Sequence, residues 1–432
     1  MKIHIHIVLK YLVLVLLLLG VCITSANAEP GKIKDGLEIK SEEGRFEMAI
    51  GGRVHLDAHL FNKDNIDSAF PAFGSQLPTI EDRSGFNLRR TYLTLSGKFY
   101  GWKYKVENDF SAGTYPDSTR EMWVSTTLGR GDLVIGQFKP YRGMEELTSS
   151  NEITMMERPS TSSTGIFNAR QFLMGVGYKG IIANQFGYAA DVMKLAHVGL
   201  PLKGLTYGGR VFWVPISEEG NTLHLGLSYS VDNPATGSIP ANPVAIYGGR
   251  RGIRKSFGTA GMGIGLSYEN SETIFAVETA YAIGPVTLQA EYATVKLDNT
   301  HLVAGVQQDS DLQAYYLQAS WFVTGEHTVY QKDRGAFSKP KKIGKWGAVE
   351  VAARYNFVEN KDQSLTANPC ATGTSECQVQ SITLGVNWYV KPNARVMLNY
   401  YLAEADIGNA GIGTPDRTDS PSVISFRTQY SF

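Results

Sequence analysis

The sequence predicts an all-β protein: a closed antiparallel β-barrel of about sixteen strands that spans a membrane. Three observations predict it. The N-terminus reads as an export signal, the body is a succession of short segments that alternate apolar with polar residues, and the last strand is amphipathic and ends on Phe432.

The signal comes first in the chain. Lys2 and Lys10 precede an almost purely apolar run over residues 11–22, and Ser25-Ala26-Asn27-Ala28 places small residues where a signal peptidase reads them. The run is too short to cross a bilayer comfortably. Residues 1–28 are therefore expected to be a cleaved signal, residues 29–44 a short periplasmic segment and residues 45–432 the barrel. Val21 is too bulky for a lipoprotein site at Cys22. No other stretch resembles a membrane helix, and the mean hydropathy is slightly negative, which excludes a helical membrane protein. The signal holds two of the 41 basic residues and none of the 41 acidic ones, so the mature chain carries a net charge of −2. Bulk charge gives no reason to expect nucleic acid as a partner, and any selectivity for charged solutes must come from local clusters.

Alternation is clearest where both faces can be read. Arg53, His55, Asp57 and His59 share one face of the first strand, and Val54, Leu56, Ala58 and Leu60 share the other. Lys103, Lys105, Glu107 and Asp109 oppose Trp102, Tyr104, Val106 and Phe110. In the final strand Ile424, Phe426, Tyr430 and Phe432 oppose Ser425, Arg427, Gln429 and Ser431. Successive side chains of a strand point to opposite faces. Charges this dense on inward faces could not fill a small, dry barrel, so they imply a wide, wet lumen. His55, Asp57 and His59 are read as lumen lining rather than as a metal or catalytic group.

Strands are expected at 45–61, 85–97, 102–111, 120–128, 132–141, 172–181, 184–193, 206–215, 222–232, 272–283, 286–296, 312–322, 348–357, 379–389, 394–405 and 422–432. A seventeenth candidate, 258–270, is rich in glycine and is assigned to the preceding loop. The tight turns Gly284-Pro285 and Pro392-Asn393 fall on one side of the membrane only if it does not span, and both chain ends then lie in the periplasm. Three long connections remain. Residues 142–171 follow the fifth strand. Residues 233–257 carry Arg250, Arg251 and Arg254, expected on a solvated face that meets lipopolysaccharide. Residues 325–346 hold Lys332, Arg334, Lys339, Lys341, Lys342 and Lys345, which parity places at the periplasmic mouth. Cys370 and Cys377 lie in a polar loop and are expected to form a local disulfide in the oxidising periplasm. No histidine lies near them, so no metal is expected, and nothing in the chain calls for a cofactor.

Several motifs resemble, in family order, those of the phosphate-selective porin O/P family. They are Gly51-Gly52-Arg53 with Asp57, Leu88-Arg89-Arg90-Thr91-Tyr92-Leu93, Gly97-Lys98-Phe99 and Gly136-Gln137-Phe138-Lys139. Gly143-Met144-Glu145, Thr148-Ser149-Ser150, Glu157-Arg158, Gly284-Pro285, Glu291-Tyr292, Thr324-Gly325-Glu326, Arg354-Tyr355 and Asn393 with Arg395 continue the series. The resemblance implies a sixteen-stranded homotrimer in the outer membrane of a Gram-negative bacterium, with the third loop folded inward and a ladder of arginines that conducts phosphate or related oxyanions. Carried over, it assigns pore-lining or anion-binding roles to Arg53, Arg89 and Arg90, to Lys139, Ser149, Ser150 and Arg158 of the inward loop, and to Glu121, where the family pattern leads one to expect aspartate. Adjacent Arg89 and Arg90 cannot both point inward on a regular strand; that needs a bulge. Arginine suits the task because its planar fork binds phosphate oxygens in pairs and stays charged. The nearest alternative is a general or weakly selective porin for small hydrophilic solutes. An outer-membrane enzyme is disfavoured, since no Ser/His/Asp group is placed at a rim, and a purely structural barrel is the remaining class.

Overall fold

Most of the exposed large side chains on the strands are apolar and most of the charged ones are buried, the inverse of a water-soluble protein, although Ile274, Val295, Leu312, Val358 and Val379 form an apolar cluster on the inner side. On one strand Ile382, Leu384 and Val386 are 47, 49 and 44% exposed while Ser381, Thr383 and Asn387 are buried. That arrangement is stable only where the outer face meets lipid and the inner face meets water or other polar groups. The computed structural model describes residues 37–41, 45–62, 84–112, 118–162, 171–195, 203–236, 244–247, 253–255, 270–299, 302–303, 306–307, 310–340, 342–360, 378–406 and 418–432. The expected signal, Cys370, Cys377, Lys341, Arg250 and Arg251 lie outside the described residues.

The wall has sixteen strands: β1 (Phe46–Phe61), β2 (Gly85–Phe99), β3 (Trp102–Asp109), β4 (Thr119–Leu128), β5 (Gly131–Phe138), β6 (Leu173–Ile182), β7 (Phe186–Lys194), β8 (Lys203–Glu218), β9 (Asn221–Thr236), β10 (Asn270–Ile283), β11 (Val286–Asn299), β12 (Ser310–Phe322), β13 (Ala348–Asn360), β14 (Gln378–Lys391), β15 (Ala394–Asp406) and β16 (Ser422–Ser431). Each pairs antiparallel with its neighbours in sequence, and β16 closes on β1 from Arg53 opposite Ser431 to Phe61 opposite Val423. β9 pairs directly with β10, so the wall closes without the seventeenth candidate. A short strand, Leu37–Lys40, lies on the first residues of β1, where β16 no longer covers that edge. It belongs to the stretch read as a periplasmic segment ahead of the barrel, and it continues the sheet below the wall.

Tight turns gather at one end. Tyr100 and Gly101 turn β2 into β3 with positive φ at both positions (47° and 85°), the geometry that matches the twist of paired strands. The outward aromatic side chains Phe99, Trp102, Phe186, Trp213 and Trp321 ring the same end, as membrane-interface belts do. Long loops gather at the other end.

Two connections enter the lumen. The third loop runs from 139 to 172, starting three residues before and ending one residue after its expected limits. Strand β5 stops at Phe138 and not at residue 141, because Pro140 has no N–H for the ladder and the Tyr141 N–H turns away to donate to Asp191 on β7 (2.7 Å). The segment 323–347 starts at the tight-turn end, where parity put it, but climbs inward. Its small hairpin, Val329–Gln331 paired with Ala336–Ser338, packs Ala336 and Phe337 against Met144 on the helical turn α1 (Met144–Leu147) of the third loop.

Candidate functional site

Wall side chains fix the third loop by its backbone. On β15 the Arg395 guanidinium donates to the Ile153 and Thr154 carbonyls (2.8 and 3.0 Å), and the Asn399 Oδ1 accepts the Met156 N–H (2.8 Å). On β13 Arg354 donates to the Glu157 carbonyl (2.8 Å), and the Asn356 Oδ1 accepts the Ser160 N–H (2.8 Å). Arg427 on β16 is wholly buried; it donates to the Met156 carbonyl (2.6 Å) and holds both Asp57 carboxylate oxygens at 2.7 Å. His55, next on the same face, contacts Asn151 of the loop (2.9 Å), and His59 contacts Ser425 (2.9 Å). The His/Asp face of β1 is thus a seam that ties the first strand, the last strand and the loop together.

Arg89 and Arg90 both point inward. Opposite β1 the register runs His55–Arg90 and then Leu56–Leu88, which leaves Arg89 as the extra residue of a β-bulge. Leu88 before the bulge and Leu93 after it both face out, so the alternation resumes with its parity reversed. The two arginines then diverge. Arg89 forks onto Glu157 of the loop, with Nε donating to Oε1 at 2.7 Å and Nη2 to Oε2 at 2.8 Å. Arg90 is 5% exposed, and its Nη1 is buried with no hydrogen-bond partner among the described residues. Burial opposes charge on Glu157, but the guanidiniums of Arg89 and Arg427 outweigh it and hold the carboxyl well below the usual range.

Between the loop and the inner faces of β1 to β8 lies a cavity of about 750 Å³. Ten basic and four acidic side chains line it among the described residues, so its field is cationic although the chain as a whole is nearly neutral. Arg53, Arg90, Glu121, Lys139, Ser149, Ser150 and Arg158 are all on its wall; Arg89 is not. Arg53 joins wall to loop, donating to Ser149 (3.3 Å), Ser150 (3.0 Å) and Glu107 (3.1 Å) while lying over the Tyr92 ring. Glu121 accepts from the Trp123 indole (3.0 Å) and pairs with Lys105 (2.7 Å). Lys139 donates to the Glu146 carbonyl (2.5 Å) and faces its carboxylate at 3.1 Å. Burial, and then repulsion by Arg158, brings the Lys139 ammonium down to about 7 against the pull of Glu146. Arg158 spends its donors on the loop itself, at the Glu145 and Thr148 carbonyls (3.1 and 2.6 Å).

The basic group expected at the mouth is dispersed. Arg334 reaches the main cavity. Arg210 on β8 holds the turn beside it by donating to the Arg334 and Gly335 carbonyls (2.7 and 2.6 Å), and pairs with Glu278 on β10. Lys332 and Lys342 line a separate recess at the tight-turn end, Lys339 is half-buried, and Lys345 lies over the exposed Trp346 ring. Arg254 is on a short strand, Ile253–Lys255, paired with Val244–Tyr247. Reading the sequence missed Lys103, Lys105, Lys179 and Arg210 on the cavity wall. Inward alternation on β3 had already set Lys103 and Lys105 on one face, and a count of inward charge strand by strand would have found them. Arg427 was also missed as a clamp; the first and last strands of a barrel must pair, which sets it opposite Asp57.

Comparison with known proteins agrees with this architecture. The sequence pattern of the family described as Phosphate-selective porin O and P matches residues 50–432. Porin O of Pseudomonas aeruginosa is 28% identical over 405 residues, covering 87% of each chain. Among solved structures, the outer membrane channel DcaP of Acinetobacter baumannii superposes with a TM-score of 0.55 at 13% identity, covering 92% of this chain and all of that one. The trimer form of OmpT, an outer membrane protein of Vibrio cholerae, does so with a TM-score of 0.54 at 12% identity, covering 90% and 99%.

Proposed function

Because the chain belongs to the phosphate-selective porin O and P family and is an outer-membrane porin of a Gram-negative bacterium, a channel rather than an enzyme, we propose that it passes small anions, phosphate or related oxyanions, through a lumen lined by arginine and lysine. The observation that carries this reading is Arg90: a guanidinium on the cavity wall that has no carboxylate within 4 Å among the described residues. A guanidinium on the wall without a carboxylate to neutralise it offers its charge to an entering oxyanion. Arg53, Lys105 and Lys139 on the same wall offer further moderate sites, so that an ion is passed along and not trapped. The basic residues nearer the ends, Lys103 and Arg334 among them, concentrate anions by steering. A homotrimer is proposed from the family, and lipopolysaccharide as the neighbour of the long loops.

A second reading has its own support. Arg53, Lys103, Lys105 and Lys139 each lie within 4 Å of a carboxylate, which blunts the field they present and suits a weakly selective pore for small hydrophilic solutes. Planar-bilayer recording separates the two. The oxyanion reading expects an anion-selective reversal potential in a salt gradient and block of chloride current by millimolar phosphate. Chloride current that ignores phosphate supports the weakly selective pore instead.

A further inference from the structure

Five charged groups meet where β1, β2, β16 and the third loop touch: Arg89, Arg90, Arg427, Asp57 and Glu157. Asp57 is taken by Arg427 through two bonds of 2.7 Å. Glu157 is taken by the Arg89 fork at 2.7 and 2.8 Å and by Arg427 at 3.0 Å. Among the described residues three cations thus face two carboxylates, and the positive charge left over belongs to Arg90, the one member of the group on the cavity wall. The Arg89 fork already holds a carboxylate in the paired geometry by which it would hold an oxyanion.

We infer that Glu157 sets the anion preference of the pore: as a tethered counter-ion it neutralises Arg89, so that of these three arginines Arg90 alone presents uncompensated charge to the passing ion. The inference rests on the anion-channel reading and assigns the two adjacent arginines different tasks. Arg89 is a positioning residue that receives the loop; Arg90 is the group that meets the ion. The carboxylate does not depend on Arg89 for its place, because the backbone on both sides is anchored independently. Arg354 holds the Glu157 carbonyl, Asn399 the Met156 N–H and Arg427 the Met156 carbonyl. Neutralising the side chain therefore changes charge while those anchors remain.

Four proteins test it: wild type, Glu157→Gln, Arg89→Gln and the double variant, compared by reversal potential in a salt gradient, with single-channel conductance as the structural control. A unit charge ~7 Å from an ion in a water-filled pore is worth about one RT, and since it acts with opposite sign on anion and cation, each single change shifts the anion-to-cation permeability ratio roughly sevenfold. Glu157→Gln raises the ratio, Arg89→Gln lowers it, and the double variant returns to within about twofold of wild type, the counter-ion having been removed with its partner. A double variant as poor in anion preference as Arg89→Gln makes Arg89 a ligand and overturns the inference. So does a Glu157→Gln pore with higher conductance and lower selectivity, which marks a released loop. A wild type without anion preference defeats the channel reading instead, and the order of the four ratios still decides the role of Glu157.

Discussion

Lys139 and Arg427 show how burial decides what a lumen charge can do. Lys139 sits between Glu146 and the cavity, and burial with Arg158 nearby lowers its ammonium to about 7. Its charge is present below that pH and lost above it. Anion preference is therefore expected to fall as pH rises from 6 to 8, and Lys139→Met should flatten that step; reversal potentials at fixed salt measure both. Arg427 has no such freedom. It is fully buried, and its loss would leave the buried Asp57 carboxylate without its guanidinium partner. Arg427→Gln should cost about 3–5 kcal/mol, read as a lower unfolding temperature of the detergent-solubilised barrel, and adding Asp57→Asn should recover part of it. Arg427 and Asp57 were visible in the sequence as inward polar residues, but their mutual contact follows from the closing register between β16 and β1.

At the scale of elements, two irregular pieces do the work that regular strands cannot. The bulge at Arg89 turns two neighbouring side chains to one face, which a strand of period two forbids. No residue in Leu88-Arg89-Arg90-Thr91 announces a bulge; the adjacent pair of charges is the sign that one is needed. The hairpin of the 323–347 segment is the other piece. Its basic composition suggested a solvated mouth, yet Ala336 and Phe337 draw it against Met144, and Arg210 pins its turn. Replacing residues 329–338 by a short glycine-serine turn should widen the passage and raise single-channel conductance, with the barrel still migrating as a folded species in unheated electrophoresis. Unchanged conductance would show that the hairpin does not constrict the path.

For the whole molecule, charge is arranged asymmetrically across the lumen. On the β9 to β16 side the loop and the hairpin pair with the wall, and the cavity lined by Arg53 and Arg90 lies on the β1 to β8 side. Selectivity in such a passage is a property of local field, and salt screens it: the Debye length shrinks from about 10 Å at 0.1 M to about 3 Å at 1 M. The permeability ratio measured at constant gradient should therefore decline as mean ionic strength rises over that range, whereas a ratio set by pore width alone would stay level.

Taken by itself, the sequence determined the barrel, its sixteen strands, its inside and its outside, because alternation and tight turns are local and repeat along the chain. Arg53, Arg90, Glu121 and Lys139 could be placed near a common passage only through the family resemblance. Which of them pairs with which was decided by tertiary structure alone. Glu157 reaches Arg89 across 68 positions and Arg427 across 270, and contacts that distant depend on strand register, on one bulge and on the path of the third loop through the lumen, none of which is written in the residues that finally touch.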